Sequence, residues 1–305
     1  MHGLMMDTPL LISSIVEHAD INFNDREIVS VMGDDSVHRY TYGDCFKRVR
    51  KLANALSGLK LLEGDRIATI AWNDYRHLEA YYAIGGAGYV CHTINPRLFP
   101  EQIVFMINHA EDKWLMIDPL FIPLIEKIAP QIPNVEGFIV MGDAKSAKNT
   151  SLDNVIAYEE LIKNESEQYK WPLMDERTAM GLCYTSGTTG DPKGVLYNHR
   201  AMVLHAFALI APDAMNLSNL DCILPVVPLF HVNSWGSPYG AMMVGAKIVY
   251  PGPKMADGET LYNLMEEEGV TVSLGVPTVW LVLLQYAAKY KKKLKSLKRT
   301  VIGGA

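Results

Sequence analysis

One short stretch concentrates groups able to do chemistry: Leu182-Cys183-Tyr184-Thr185-Ser186-Gly187-Thr188-Thr189-Gly190-Asp191-Pro192-Lys193-Gly194-Val195. From Thr185 to Gly194 it holds three glycines, four hydroxyl residues and one lysine. Glycines let backbone N–H groups wrap an anion without a clashing Cβ. Hydroxyls add donors, and one of them can ligate Mg²⁺. Lys193 adds a point charge for a phosphate. The stretch follows an apolar, strand-like run and precedes a helical pattern, so it reads as a cradle for a nucleotide polyphosphate. The bland alternative is a polar turn without a ligand. The spacing is not that of Walker A, because Lys193 is followed by glycine. Gly85-Gly86-Ala87-Gly88 lacks the third glycine of a dinucleotide fingerprint. Ser186 does not sit in a G-x-S-x-G elbow.

A second segment, Phe230-His231-Val232-Asn233-Ser234-Trp235-Gly236, puts a histidine and a tryptophan in a charge-free loop. This suits a pocket with an apolar wall and one polar handle. A core tryptophan beside a hydrogen-bonded histidine is the alternative. Seven other histidines (His18, His38, His77, His92, His109, His199, His205) show no metal-ligand spacing and read as structural or surface groups.

The elements that must position these segments alternate. Tyr42 to Leu59 reads as an amphipathic helix with Thr41 as its N-cap. Strands are expected at 66–71, 89–94, 114–117 and 138–141, with helices at 77–86 and 101–110 between them. Residues 142–171 are polar and read as a surface connection. The pattern resumes at Ala179 with a strand, the glycine-rich turn and a helix at 201–211. Strands follow at 223–227, 247–250 and 271–274, with helices at 259–268 and 278–289 and a last strand ending at Ile302. Strands separated by helices predict an α/β fold with mainly parallel pairing.

Composition agrees with a globular chain: 49% hydrophobic and 20% charged among 305 residues. A net charge of −6 gives no case for nucleic acid. The run Lys289 to Arg299 is basic, but reads as a helix C-terminus favouring the negative end of the dipole. The four cysteines are scattered and read as reduced thiols. The first residues lack the pattern of a signal peptide. Residues 222–246 and 269–288 lack charges, yet prolines, glycines and polar residues interrupt them, so no membrane span is expected. A cytoplasmic protein is the expectation.

Tyr184 to Gly194 resembles the AMP-binding signature of the adenylate-forming superfamily of acyl-CoA synthetases, adenylation domains and luciferases. Further matches run along the chain: Tyr40-Thr41-Tyr42, Ala87-Gly88-Tyr89-Val90, Asn95-Pro96-Arg97-Leu98, Pro228 to Asn233, Gly275-Val276-Pro277-Thr278 and Val301 to Ala305. Cys91 to Leu98 and Leu224 to Pro228 look closest to bacterial medium-chain fatty acyl-CoA ligases, a group that includes ligases for methylmercaptopropionate.

The resemblance implies the large N-terminal domain of these enzymes: layered, mainly parallel sheets flanked by helices, incomplete at the C-terminus. It implies a first α/β subdomain over 1–170 and a second, truncated one over 171–305, without the small C-terminal lid domain. It implies ATP, Mg²⁺ and coenzyme A, with a carboxylic acid as the other substrate; a homodimer is compatible with it. The catalytic residues implied are Lys193 and His231. Thr185, Ser186, Gly187, Thr188, Thr189, Gly190, Lys193, His231, Gly303 and Gly304 would contact nucleotide, and Thr185 would ligate Mg²⁺. His231, Val232, Trp235, Gly303, Gly304 and Ala305 would line the acyl site, with Trp235 gating it. The absence of an acidic residue from 222–246 favours an acyl chain over an amino acid. The family's later segments, an aromatic-Gly-x-Thr-Glu turn, a ribose Asp and a C-terminal lysine, have no match here. The chain therefore reads as cut at Gly303-Gly304-Ala305. A nucleotide-binding fragment without turnover, and a ligase for an aryl or acetyl-like acid, are the alternatives.

Overall fold

A computed structural model describes residues 1, 3–185 and 192–304. The chain first forms an antiparallel hairpin, β1 (Glu27–Val31) and β2 (Val37–Thr41). Five strands follow, with helices between successive ones except β6 and β7: β3 (Arg66–Ile70), β4 (Val90–Thr93), β5 (Trp114–Ile117), β6 (Gly137–Val140) and β7 (Val155–Ala157). A second hairpin, β8 (Ala179–Thr185) and β9 (Lys193–Asn198), follows. The chain closes with β10 (Cys222–Pro225), β11 (Lys247–Tyr250), β12 (Val272–Gly275) and β13 (Arg299–Ile302).

These strands make two sheets. One has the order β7-β6-β5-β3-β4-β8-β9, the other β13-β12-β10-β11-β1-β2. Every pairing is parallel except within the two hairpins. The parallel strands are short apolar runs buried at nearly every position, as sheets covered on both faces require.

The helices Tyr42–Ser57 and Tyr75–Gly86 lie between the sheets. Their buried side chains share one core with Ile67, Cys91 and Met116 of the first sheet and with Ile223, Ile248 and Leu274 of the second. The helix Tyr75–Gly86 is buried almost all round, as a middle-layer helix must be. The outer face of the first sheet (Ala68, Ile70, Leu115) packs on the helices Pro100–Ala110 and Ile122–Ile128. That of the second (Val29, Leu224, Val249) packs on Gly258–Glu267 and Pro277–Lys289. The result is five layers, helix–sheet–helix–sheet–helix, which bears out the expected α/β class. Thr41 does cap its helix: its hydroxyl accepts from Asp44 N, and Asp44 accepts from Thr41 N, as a capping box. The four cysteines are free and buried.

Two expectations change. Residues 142–171 are not only a surface connection: they supply β7 and the helix Tyr158–Ile162, whose Tyr158 is fully buried. Its hydroxyl donates to buried Glu79 at 2.5 Å, and Arg48 donates to Glu79 at 2.8 Å and to Glu159 at 2.9 Å. The polar composition hid an element whose burial depends on partners 79 and 111 residues away. The sheets also do not divide at residue 170. The hairpin β8–β9 completes the first sheet, while the early hairpin β1–β2 joins the second. Among the described residues, no helix is long and apolar enough to cross a membrane.

Burial sets a pH dependence. His77 and His199 are fully buried, and desolvation pulls each pKa down to about 4. The unfolded chain takes up a proton at each near pH 6.5 while the folded chain does not, so stability is lost as pH falls from 6.5 towards 4. The loss is on the order of 3 kcal/mol per histidine over that range. Asp74, pushed up to about 6 by burial and by nearby Asp118, works the other way below pH 6 and offsets part of it. Urea midpoints measured from pH 7.5 to 4.5 are expected to fall, with the steepest change between 6.5 and 5.5. A flat profile would contradict neutral buried imidazoles.

Candidate nucleotide-binding site

The signature begins where β8 leaves the core. Leu182 and Cys183 are buried, Tyr184 is half-buried and Thr185 is exposed. Across the hairpin, Thr185 pairs in register with Lys193, which is also exposed. Thr185 and Lys193 therefore bracket the turn between the strands. Ser186, Gly187, Thr188, Thr189 and Gly190, and likewise Ala305, lie outside the described residues. A Cβ on Gly194 would come within 3.2 Å of both Leu182 and the Tyr184 ring, so glycine lets Tyr184 fold across the hairpin. Tyr184 Oη is 2.6 Å from His109 Nδ1, and its ring lies 5.2 Å from that of buried His92, which pairs with Asp112 at 2.7 Å.

The histidine segment comes from the other sheet. After β10 the chain passes Val226 to Phe230 and reaches His231. Asn73, fully buried just beyond β3, holds this passage. Its Nδ2 donates to the carbonyls of Pro225 at 3.1 Å and Val227 at 3.0 Å, and its Oδ1 accepts from Leu229 N at 2.7 Å. Tyr81 donates to the Leu229 carbonyl, and Ser234 Oγ to that of Val227 at 2.8 Å. The first sheet thus anchors the loop of the second by side chain, which sequence reasoning missed: Asn73 looks locally like a polar turn residue before a helix.

This anchoring brings His231 to Thr185. Both line a pocket of about 90 Å³, with Phe230 and Pro192, with Thr93 and Asn95 at and just after the end of β4, and with Gln102 of the helix Pro100–Ala110. Partial desolvation lowers the His231 pKa, which favours a neutral imidazole. Val232, Trp235, Lys193 and Gly303 do not line this pocket. Trp235 instead meets Gly303: a Cβ there would lie 3.2 Å from the indole ring. Gly304 has φ +73°, a conformation that favours glycine. The resemblance-implied residues therefore form two groups, Thr185 with His231, and Trp235 with Gly303. A larger cavity of about 550 Å³, lined by His38, Asp74 and Asp118 among others, contains none of them. Chemistry rather than size points to the smaller pocket.

Among the described residues, no cluster of three or more His, Cys, Asp or Glu could hold a metal ion. Thr185 offers one hydroxyl, and no carboxylate lines the pocket. The described residues alone do not form a Mg²⁺ site.

Val232, Asn233, Ser234 and Trp235 all have φ between 46° and 54°, and Gly236 follows at 72°. This is a left-handed turn built from L-residues, each at a cost of roughly 1–2 kcal/mol. Its hydrogen bonds oppose that cost: Ser234 Oγ to Val227, and His205 Nε2 with the Trp235 carbonyl at 3.1 Å. Val232→Gly removes a branched side chain from an unfavourable conformation. Unfolding free energy is expected to stay level or rise by up to about 1 kcal/mol. A loss larger than that in urea unfolding would contradict the left-handed geometry.

The sequence profile described as "AMP-binding enzyme" matches residues 16–305. A 3-methylmercaptopropionyl-CoA ligase of Ruegeria lacuscaerulensis is 52% identical over 305 residues, all of this chain and 56% of its own length. A medium-chain-fatty-acid–CoA ligase of Ectopseudomonas oleovorans has the same identity and coverage. The chain thus spans about half the length of the curated relatives it matches. The crystal structure of the anthranilate CoA ligase AuaEII in complex with anthranoyl-AMP aligns with a TM-score of 0.86, covering 100% of this chain and 57% of that one. At 20% identity that likeness speaks for the fold alone. The family match over nearly the whole chain, with the signature hairpin at its centre, establishes that the chain belongs to the AMP-binding enzyme family.

Proposed function

We propose that this chain is the nucleotide- and acyl-binding part of an ATP-dependent carboxylic acid–CoA ligase. The observation that carries the reading is the pairing of Thr185 with Lys193 at the mouth of a hairpin whose pocket also receives His231. In the reaction proposed, a carboxylate oxygen bonds to the α-phosphorus of ATP and the bond to pyrophosphate breaks. The thiol sulfur of coenzyme A then bonds to the acyl carbon, AMP leaves and the thiol proton is released. Lys193 supplies charge to the phosphates, and Ser186 to Gly190 supply backbone and hydroxyl donors. Thr185 would offer one hydroxyl to Mg²⁺ brought in by ATP, and the ion would supply charge that offsets the phosphates. His231, largely neutral, offers an N–H between nucleotide and acid without carrying a competing charge. Trp235 and Val232, with the backbone of Gly303, Gly304 and Ala305, wall the acyl group.

The acid proposed is a short- or medium-chain fatty acid or methylmercaptopropionate. The likeness to two relatives of those names supports this, as does the apolar run 222–246. The reading includes a cytoplasmic site of action and allows a homodimer. ATP–pyrophosphate exchange across a panel of acids tests it. Exchange with hexanoate, octanoate or methylmercaptopropionate is expected. A second reading, nucleotide binding without turnover, draws on the 56% coverage of the relatives. ATP binding with no exchange for any acid would favour it and overturn the ligase reading for this chain.

A further inference from the structure

The pocket shared by Thr185 and His231 has a sheet-side wall outside the signature. Thr93 ends β4 and pairs in register with Cys183 of β8, two residues before Thr185. It is only 3% exposed, and among the described residues its Oγ1 has no hydrogen-bond partner. An unpaired buried hydroxyl is costly, and such a group calls for an explanation.

Asn95 and Gln102 extend the same wall. Asn95 Oδ1 accepts from Arg97 N at 3.0 Å, and Gln102 Oε1 accepts from Phe99 N at 3.3 Å. A backbone N–H can be accepted only by the amide oxygen, so both amides are oriented and their NH₂ ends remain as donors. Thr93, Asn95, Gln102, Thr185 and a neutral His231 thus give the pocket donors, and no carboxylate opposes them. That balance suits an anion. At about 90 Å³ the space holds a few waters or one tetrahedral anionic group, and neither a nucleoside nor an acyl chain. Its position beside Thr185 and Pro192, on either side of the signature turn, selects phosphate over carboxylate.

We propose that Thr93, with Asn95 and Gln102, forms a subsite for one distal phosphoryl group of the nucleotide, within the part that leaves as pyrophosphate. The assignment rests on the nucleotide-binding reading above. Thr93 would be a binding residue whose hydroxyl finds its partner only when a phosphoryl oxygen is present.

The test compares the full chain with Thr93→Val and Thr93→Ser, titrated with magnesium pyrophosphate, Mg-ATP and AMP. Thr93→Val keeps the shape and removes the hydroxyl. It is expected to weaken pyrophosphate and ATP binding about tenfold. AMP affinity should change less than twofold, and Thr93→Ser should recover most of the loss. The urea midpoint of Thr93→Val should be unchanged or higher, since an unpaired buried hydroxyl is removed. A purely structural threonine would instead lower the midpoint and weaken all three ligands alike, which would overturn the subsite. Pyrophosphate and ATP affinities within twofold of the parent would also overturn it while leaving the nucleotide reading intact. A parent chain that binds neither ATP nor pyrophosphate would overturn both.

Discussion

Lys193→Ala is expected to reduce ATP affinity by roughly ten- to a hundredfold. A charge-assisted contact is worth about 1.5–3 kcal/mol, and each 1.4 kcal/mol is tenfold in affinity. Lys193 is exposed, so solvent screening places the effect nearer tenfold at physiological salt. Titration at 20 mM and 150 mM salt should show a larger loss at the lower concentration. Lys193→Arg keeps the charge but replaces a compact ammonium with a planar fork, and partial recovery is expected. The fold should be indifferent, because the side chain lies outside the core. Unchanged ATP affinity in Lys193→Ala would remove this residue from the phosphate site, whatever else the turn does.

Asn73→Asp is expected to cost about 3 kcal/mol or more of stability. The substitution retains an acceptor for Leu229 N but turns the donor facing the Pro225 and Val227 carbonyls into a second oxygen. A buried carboxylate facing two carbonyls must either take a proton or break the loop away. Val227 O keeps its bond from Ser234; Pro225 O loses the donor supplied by Asn73. The penalty should shrink as pH falls, because a protonated carboxyl can donate to one of the two carbonyls. Urea unfolding at pH 8 and pH 5, with the parent as reference at each pH, measures this. A penalty below about 1 kcal/mol at pH 8 would show that the clamp does not hold the loop. Since the loop delivers Phe230 and His231, the His231 imidazole resonances should also shift in the variant. Unchanged resonances alongside lost stability would confine Asn73 to a packing role.

Local signals were readable because the physics behind them is local. Thr41 and Asp44 stand three residues apart, the separation a capping box needs. Apolar runs such as Trp114–Ile117 and Lys247–Tyr250 are short and follow helical segments, so their identity as parallel strands was accessible. The signature Thr185 to Gly194 could be read as a candidate phosphate cradle because glycines, hydroxyls and a lysine within ten residues carry their own chemistry. Two features that the sequence did not disclose have the opposite cause. Tyr158 lies in a polar stretch and is buried by Glu79 and Arg48, distant in sequence. The helix Ile12–Phe23 has weak end signals, with no side-chain cap, and owes its place to the shared inter-sheet core.

Residue order alone therefore pointed to the family, the α/β class and the segment proposed to meet phosphate, since each depends on neighbours along the chain. Folding in three dimensions decided that two hairpins join the sheets they do, that Asn73 of one sheet clamps a loop of the other, and that Thr93 and Gln102 stand beside Thr185 and His231. None of those neighbours is close in sequence. Their proximity follows from strand register and from the burial of two sheets against common helices, and no short window of the chain encodes it.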